Sequence, residues 1–250
     1  DIIIAPMQYA LVNDEKVEPT PKSIGNCQVC GKEVISRCGD INIWHWSHHK
    51  NESCDGWYEP ETEWHRNWKL IFGKKNSEVV IQHDGIKHIA DIYTNSKIVI
   101  ELQNSPIQSQ LIQKREDFYG DRMLWIVNGS HFDENITIYY VNCLNSPIKM
   151  PHGWFNIKSG EVAYNSEAKR ELKGTFVWSW PRKSWSVATR NLFIDFGGPE
   201  LFWVKSGMGT RHGEGQYVSK ERFIRKYGGD LSMLSKIILL KANKKSNFLR

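Results

Sequence analysis

Two groups of residues have the types and spacing of chemical centres. The first is Cys27-Gln28-Val29-Cys30, followed by His45-Trp46-Ser47-His48. Two thiolates on a tight knuckle and two imidazoles after a return strand complete a tetrahedral zinc site, with zinc replacing the core that so short a segment lacks. His49 and Cys54 are nearby competitors for a ligand position, and Cys38 has no spacing partner. Four of the five cysteines crowd into this one segment. A disulfide framework would spread them over a small secreted chain, so metal binding is the better reading. The alternative is reduced core cysteines with surface histidines.

The second group is Asp91 in IKHIADIYT and Glu101-Leu102-Gln103 in KIVIELQ. On a strand of period two, Glu101 and Gln103 face the same side, and an adjacent strand can bring Asp91 beside them. Two carboxylates, a carbonyl and waters make an oxygen site suited to magnesium or manganese. A metal-bound water could then attack a phosphodiester. The alternative is a polar decoration on an exposed sheet face.

A third group lies in the second half, where Trp178, Trp180 and Trp185 interleave with Arg182, Lys183 and Arg190. Lys220, Arg222, Arg225 and Lys226 follow on a short helix. Aromatic faces that stack on bases, set among cations that track phosphates, suit single-stranded nucleic acid. The candidate contacts are Trp180, Arg182, Lys183, Arg222 and Arg225. Charge supports the division, because residues 1–150 hold 15 basic against 20 acidic residues and residues 151–250 hold 18 against 8. An acidic half can hold cations and a basic half polyanions.

The elements that must position these groups are legible as an α+β pattern. The Gly39-Asp40 pair between VISR and INIWHW signals a hairpin in the zinc segment. Thr62 or Glu61, just after Pro60, opens a helix carrying Trp64, Trp68 and Ile71. Glu61, His65 and Lys69 share one face of it, so His65 either borders the metal site as a base or phosphate contact, or joins a surface ion pair. VVIQH, IKHIADIYT and KIVIELQ, separated by Asp84-Gly85 and Asn95-Ser96, read as a three-stranded meander. His88 points away from Asp91 and belongs to packing. A helix from about Pro106 ends at Gly120, and RMLWIVNG is a buried strand. Beyond residue 150 the pattern is strand-rich and aromatic, ending in two helices capped by Ser219 and Asp230. The expected organisation is a zinc-binding segment over 1–60, a helix–three strands–helix–strand core over 61–150, and a basic β-rich domain over 151–250.

ADIYTNSKIVIELQNSP resembles the core of the PD-(D/E)XK nuclease superfamily in the variant where glutamine replaces the usual lysine. The wider run of CxxC, HWSH, CDGWYEPETEWHRNWK, HIADI, IELQNSPI, QKREDFY and MLWIVNG resembles the competence protein CoiA family. The resemblance implies a zinc-finger-like segment joined to a nuclease-type domain, with the acidic pair at Asp91 and Glu101 and the third position at Gln103. Lys87, Lys114 and Arg115 are candidates to supply the charge of the absent lysine. The expected activity is divalent-metal-dependent cleavage of nucleic acid, DNA favoured, with structural zinc and catalytic magnesium or manganese. A nuclease-like scaffold that grips DNA without cutting is the competing class, and a zinc-stabilised interaction protein a more distant one. No stretch approaches a membrane span and no secretion signal is visible, so the expected compartment is the cytoplasm.

Overall fold

The structure is a computed structural model, and it describes residues 7–49, 55–57, 59–141, 147–150 and 173–248. The chain forms two compact units, Asp1–Val99 with Gly228–Arg250, and Ile100–Tyr227. These divide the chain at other points than the sequence segments at 60 and 150. The part of the expected third domain over 151–172 lies outside the described residues.

The first unit opens with five short antiparallel strands: β1 (Ala10–Val12), β2 (Glu15–Val17), β3 (Ile24–Asn26), β4 (Glu33–Arg37) and β5 (His45–His48). Their order is β2-β1-β3-β4-β5. Met7, Ala10, Cys27, Val34 and Trp46 form its small core, with Trp46 fully buried. The expected hairpin is present, with Arg37 opposite His45, but its loop runs over the whole of residues 38–44. Gly39-Asp40 therefore marks a long loop and not a two-residue turn.

Helix α1 (Glu63–Phe72) starts where Pro60 and Thr62 predict. The Thr62 hydroxyl accepts the His65 N–H, and the His65 ring accepts the Thr62 N–H, a reciprocal cap that satisfies two otherwise orphaned donors. Trp68, Ile71 and Phe72 are its buried stripe. Each such side chain contributes about 1.5–3 kcal/mol on burial. Gly73, at φ 78°, ends the helix in a conformation that glycine adopts without a Cβ clash. Strands β6 (Ser77–His83) and β7 (Ile86–Tyr93) follow as an antiparallel pair.

The second unit contains all but the first residue of β8 (Val99–Gln103), then α2 (Ser109–Tyr119), β9 (Met123–Asn128), β10 (Ile136–Val141), β11 (Pro147–Met150) and β12 (Lys173–Trp178). Strands β13 (Asn191–Asp195), β14 (Glu200–Ser206) and β15 (His212–Ser219) and helix α3 (Lys220–Tyr227) complete it. Helix α4 (Leu231–Phe248) returns to the first unit, where the Asp230 N–H donates to the Ile71 carbonyl. The strand order in the second unit is β11-β10-β12-β15-β14-β13-β9-β8. Strand β13 lies parallel to β9, so residues from beyond position 150 share a sheet with RMLWIVNG. Gly213 and Gly215 on β15 leave room for the rings of Phe176 and Phe202, which a Cβ at either position would strike.

The predicted order of helix, three strands, helix and strand is the observed order α1-β6-β7-β8-α2-β9, and the chain is α+β. Among the described residues no helix is long and apolar enough to cross a membrane.

Candidate metal centres and nucleic-acid surface

In the first unit the cysteine knuckle is built by backbone hydrogen bonds. The Cys27 N–H donates to the Lys32 carbonyl at 2.8 Å, and the Gly31 N–H donates to the Cys27 carbonyl at 2.9 Å. Gly31 has φ 70°, which a side chain would resist. The Val29 N–H points at Cys27 Sγ at 3.4 Å. Strand β5 pairs with β4 so that His48 stands opposite Val34, and His48 Nε2 lies 3.3 Å from Cys30 Sγ. Ligand atoms of Cys27, Cys30 and His48 all lie within 4.8 Å of one another.

His45 is not brought to this cluster. Three residues from His48 on a strand of period two, it takes the opposite face, and its Nδ1 lies 2.8 Å from the Ile43 carbonyl. His49 pairs with Glu33 on the surface at 3.2 Å. Cys38 is half-buried and outside the cluster, and Cys54 lies outside the described residues. Two soft thiolates and an imidazole suit zinc, and His48 is 1% exposed with its Nδ1 making no hydrogen bond. This cluster can hold a metal such as zinc through three protein ligands.

A second polar centre in the same unit surrounds Lys69. Its ammonium lies 2.8 Å from Glu61 Oε2, 2.8 Å from Glu78 Oε1 and 3.7 Å from Asp91 Oδ1. The β6–β7 register that pairs Ser77 with Ile92 and Val79 with Ala90 sets Glu78 against Asp91, so two carboxylates share one face under α1. Glu78 also accepts the N–H groups of Gln8 and Tyr9 at 2.9 and 3.0 Å. Lys69 and Glu78 are only 2% and 4% exposed.

Burial alone would lower the Lys69 pKa, but Glu61, Glu78 and Asp91 outweigh it and hold the ammonium well above the usual lysine range. Burial pushes Glu61 up, with Lys69 opposing. Burial would also raise Glu78, yet Lys69 and the two backbone N–H groups bring it below the ordinary value. Beside this centre, Lys16 donates to the Ser77 and Glu78 carbonyls, and burial lowers its pKa to about 8.

Sequence reasoning missed Glu78 here, and it placed Lys69 only on the helix face shared with Glu61 and His65. No local signal marks Glu78, because SEVV reads as an ordinary strand start. His65 is 3% exposed and is held by Thr62 on one ring nitrogen and by Glu59 at 3.5 Å on the other. Its observed contacts are those of a helix cap. His88 stacks on Trp57 and meets Asp55 at 2.9 Å.

In the second unit Glu101 is 3% exposed and accepts a hydrogen bond from Arg115 Nη1 at 2.9 Å. Of the three cations considered for the missing lysine, Arg115 meets a predicted acidic residue, while Lys87 and Lys114 are exposed. Gln103 donates from Nε2 to the Ser105 carbonyl at 3.0 Å, and its buried Oε1 accepts no hydrogen bond. An orphaned buried amide carbonyl two residues along the same strand from the Glu101 carboxylate is a hard oxygen donor of the type that magnesium or manganese takes.

The aromatic residues of the basic half divide. Trp178 and Trp185 are buried, with Trp185 edge-on to Trp125, while Trp180 is 76% exposed. Arg182 lies over the Phe132 ring at 4.1 Å, and Lys183, Arg222 and Arg225 are exposed. A cavity of about 550 Å³ in this unit is lined by residues including Arg190, Lys205, Trp185 and Trp203.

Residues 23–56 match the competence protein CoiA N-terminal domain, and residues 68–146 match the CoiA nuclease-like domain. No curated protein and no solved structure matches the chain. The first match contains Cys27, Cys30 and His48, and the second contains Lys69, Glu78, Asp91, Glu101, Gln103 and Arg115.

Proposed function

Between residues 23 and 146 the chain carries both domains of the competence protein CoiA-like family, and from that premise we propose that it is a divalent-metal-dependent nuclease acting on DNA in the cytoplasm. The observation that carries the reading is the nuclease-like match over 68–146, which encloses Asp91, Glu101 and Gln103. The order α1-β6-β7-β8-α2-β9 supports reading this segment as a PD-(D/E)XK-like core. The turn between β7 and β8 adds support, because the Thr94 N–H bonds to the Ile98 carbonyl and the Lys97 N–H to the Thr94 carbonyl.

In this reading Asp91 and Glu101 hold magnesium or manganese, with the Gln103 carbonyl as a further oxygen. Held there, the ion would supply water activation near neutral pH and charge neutralisation at the phosphate. Arg115 pairs with Glu101 at 2.9 Å in its buried place, and the Lys69 ammonium lies 3.7 Å from Asp91 Oδ1. Zinc on Cys27, Cys30 and His48 organises the amino-terminal sheet. Trp180, Arg182, Lys183, Arg222 and Arg225 grip the strand, bases on the aromatic face and phosphates on the cations.

A second reading is favoured by one observation, the close pairing of Glu101 with Arg115 at 3% and 4% side-chain exposure. A carboxylate committed to a guanidinium suits a scaffold that binds DNA without cutting it. The discriminating experiment is cleavage of single- and double-stranded DNA and RNA with magnesium, manganese or chelator, with binding measured separately. Wild type should cut only with the ion, and Asp91→Ala and Glu101→Ala should bind but not cut. Binding by wild type with no cutting of any substrate under either ion assigns the protein to the binding class.

A further inference from the structure

We propose that the Lys69 ammonium is a built-in cation that limits the carboxylate site to one divalent ion. The inference rests on the nuclease reading, since it concerns the ion held by Asp91.

Three carboxylates converge on the Lys69 nitrogen from Glu61, Glu78 and Asp91, at 2.8, 2.8 and 3.7 Å. The two 2.8 Å contacts are hydrogen bonds from the ammonium, and the 3.7 Å approach to Asp91 is an electrostatic contact beyond hydrogen-bond range. The nitrogen therefore stands at the point of convergence that an ion bridging these carboxylates would occupy. Helix α1 does not let it leave easily. The Lys69 carbonyl is itself bonded by Ser77 Oγ and by the Gly73 N–H, both at 2.9 Å, and the residue is 2% exposed.

Three of the four lone-pair positions of the Glu78 carboxylate are used while this arrangement holds. One of its oxygens serves Lys69 and the Gln8 N–H, the other the Tyr9 N–H. Glu61 is turned to Lys69 through Oε2, with its side chain 6% exposed. Asp91 has the farthest of the three oxygens from the ammonium, and its side chain is 22% exposed, the highest of the three. It is thus the member of the triad from which an ion can be reached.

Charge agrees with geometry. Three carboxylates and one ammonium leave a net charge of about −2. One divalent ion neutralises the remainder. A second would leave an uncompensated double charge in a buried region, which low-dielectric surroundings penalise heavily. Lys69 is a positioning residue, because it does not reach solvent.

The test counts manganese ions bound to the full-length, zinc-loaded chain, read as loss of the free-ion electron paramagnetic resonance signal. Wild type should bind one ion per chain, and Asp91→Ala should abolish that site. Lys69→Met should raise the count to two, and Lys69→Arg should return it to one. Lys69→Met leaves buried acids unpaired, so Lys69→Gln, which removes the same charge but keeps a donor for one carboxylate, carries the same test and should also bind two ions. Glu61→Gln should keep one ion with less than a tenfold change in affinity, since Glu61 serves Lys69 and not the metal. Two ions on wild type, or one ion on a folded Lys69→Met or Lys69→Gln, overturns the proposal alone. No ion on wild type, or a count unmoved by Asp91→Ala, overturns the nuclease reading with it.

Discussion

Replacing Glu78 by alanine tests whether the buried centre around Lys69 holds the first unit together. The carboxylate makes three contacts inside the protein: the Lys69 ammonium at 2.8 Å, and the Gln8 and Tyr9 N–H groups at 2.9 and 3.0 Å. Breaking a buried ion pair by deleting one partner costs about 3–5 kcal/mol. Here Lys69 keeps Glu61, so the low end of that range, about 3 kcal/mol, applies. The two buried backbone N–H groups left without an acceptor add about 1 kcal/mol each. The expected loss is about 5 kcal/mol, a large share of the roughly 5–15 kcal/mol that holds a domain folded.

Backbone strain supplies an internal control. Glu78 has φ 47°, a left-handed conformation that costs a side-chain-bearing residue about 1–2 kcal/mol. Alanine inherits that cost and glycine does not. Glu78→Gly should therefore be about 1 kcal/mol more stable than Glu78→Ala, although both lack the carboxylate. The assay is urea unfolding followed by circular dichroism, with the denaturant slope compared across variants to confirm that the folded surface is unchanged. A Glu78→Ala midpoint within about 1 kcal/mol of wild type refutes the reasoning, as does alanine outlasting glycine.

The amino-terminal cluster predicts near-stoichiometric zinc by elemental analysis, lost in Cys27→Ser, Cys30→Ser and His48→Ala but retained in His45→Ala, whose ring is on the other strand face. Because burial lowers the Lys16 pKa from 10.5 to about 8, the unfolded chain binds the extra proton between those values. Stability should therefore rise with pH across roughly 8 to 10.5, and Lys16→Met should flatten that rise in urea melts. Affinity for a generic single strand should fall steeply with salt, and the double change Arg222→Ala/Arg225→Ala should reduce the log–log slope by about 1 to 1.5. A slope unmoved by that change assigns the exposed cations of α3 to solubility.

Local chemistry alone set much of this protein. Pro60 and Thr62 start α1 because a fixed φ and a capping hydroxyl act within four residues. Gly120 at φ 67° ends α2, and Ser219 and Asp230 stand at the starts of α3 and α4. The cysteine knuckle is equally local, its turn closed by bonds between residues 27 and 32. Even the exclusion of His45 follows from strand period, since positions three apart cannot share a face.

What only the tertiary structure decided is where distant segments meet. Glu78 and Lys69 become partners because a strand start and a helix end pack over the same sheet face, and nothing in SEVV or HRNWK encodes that encounter locally. Arg115 reaches Glu101 across the gap between a helix and a strand. Trp178 and Trp185 are core while Trp180 is surface, although all three lie in one aromatic run. Strand β13 joins β9 in parallel over a separation of more than sixty residues, so material beyond position 150 completes the sheet that begins at β8. Caps, turns and strand alternation are written within a few residues. The choice of partner for a buried charge or a large ring is made by the whole chain, which must satisfy each desolvated group at once.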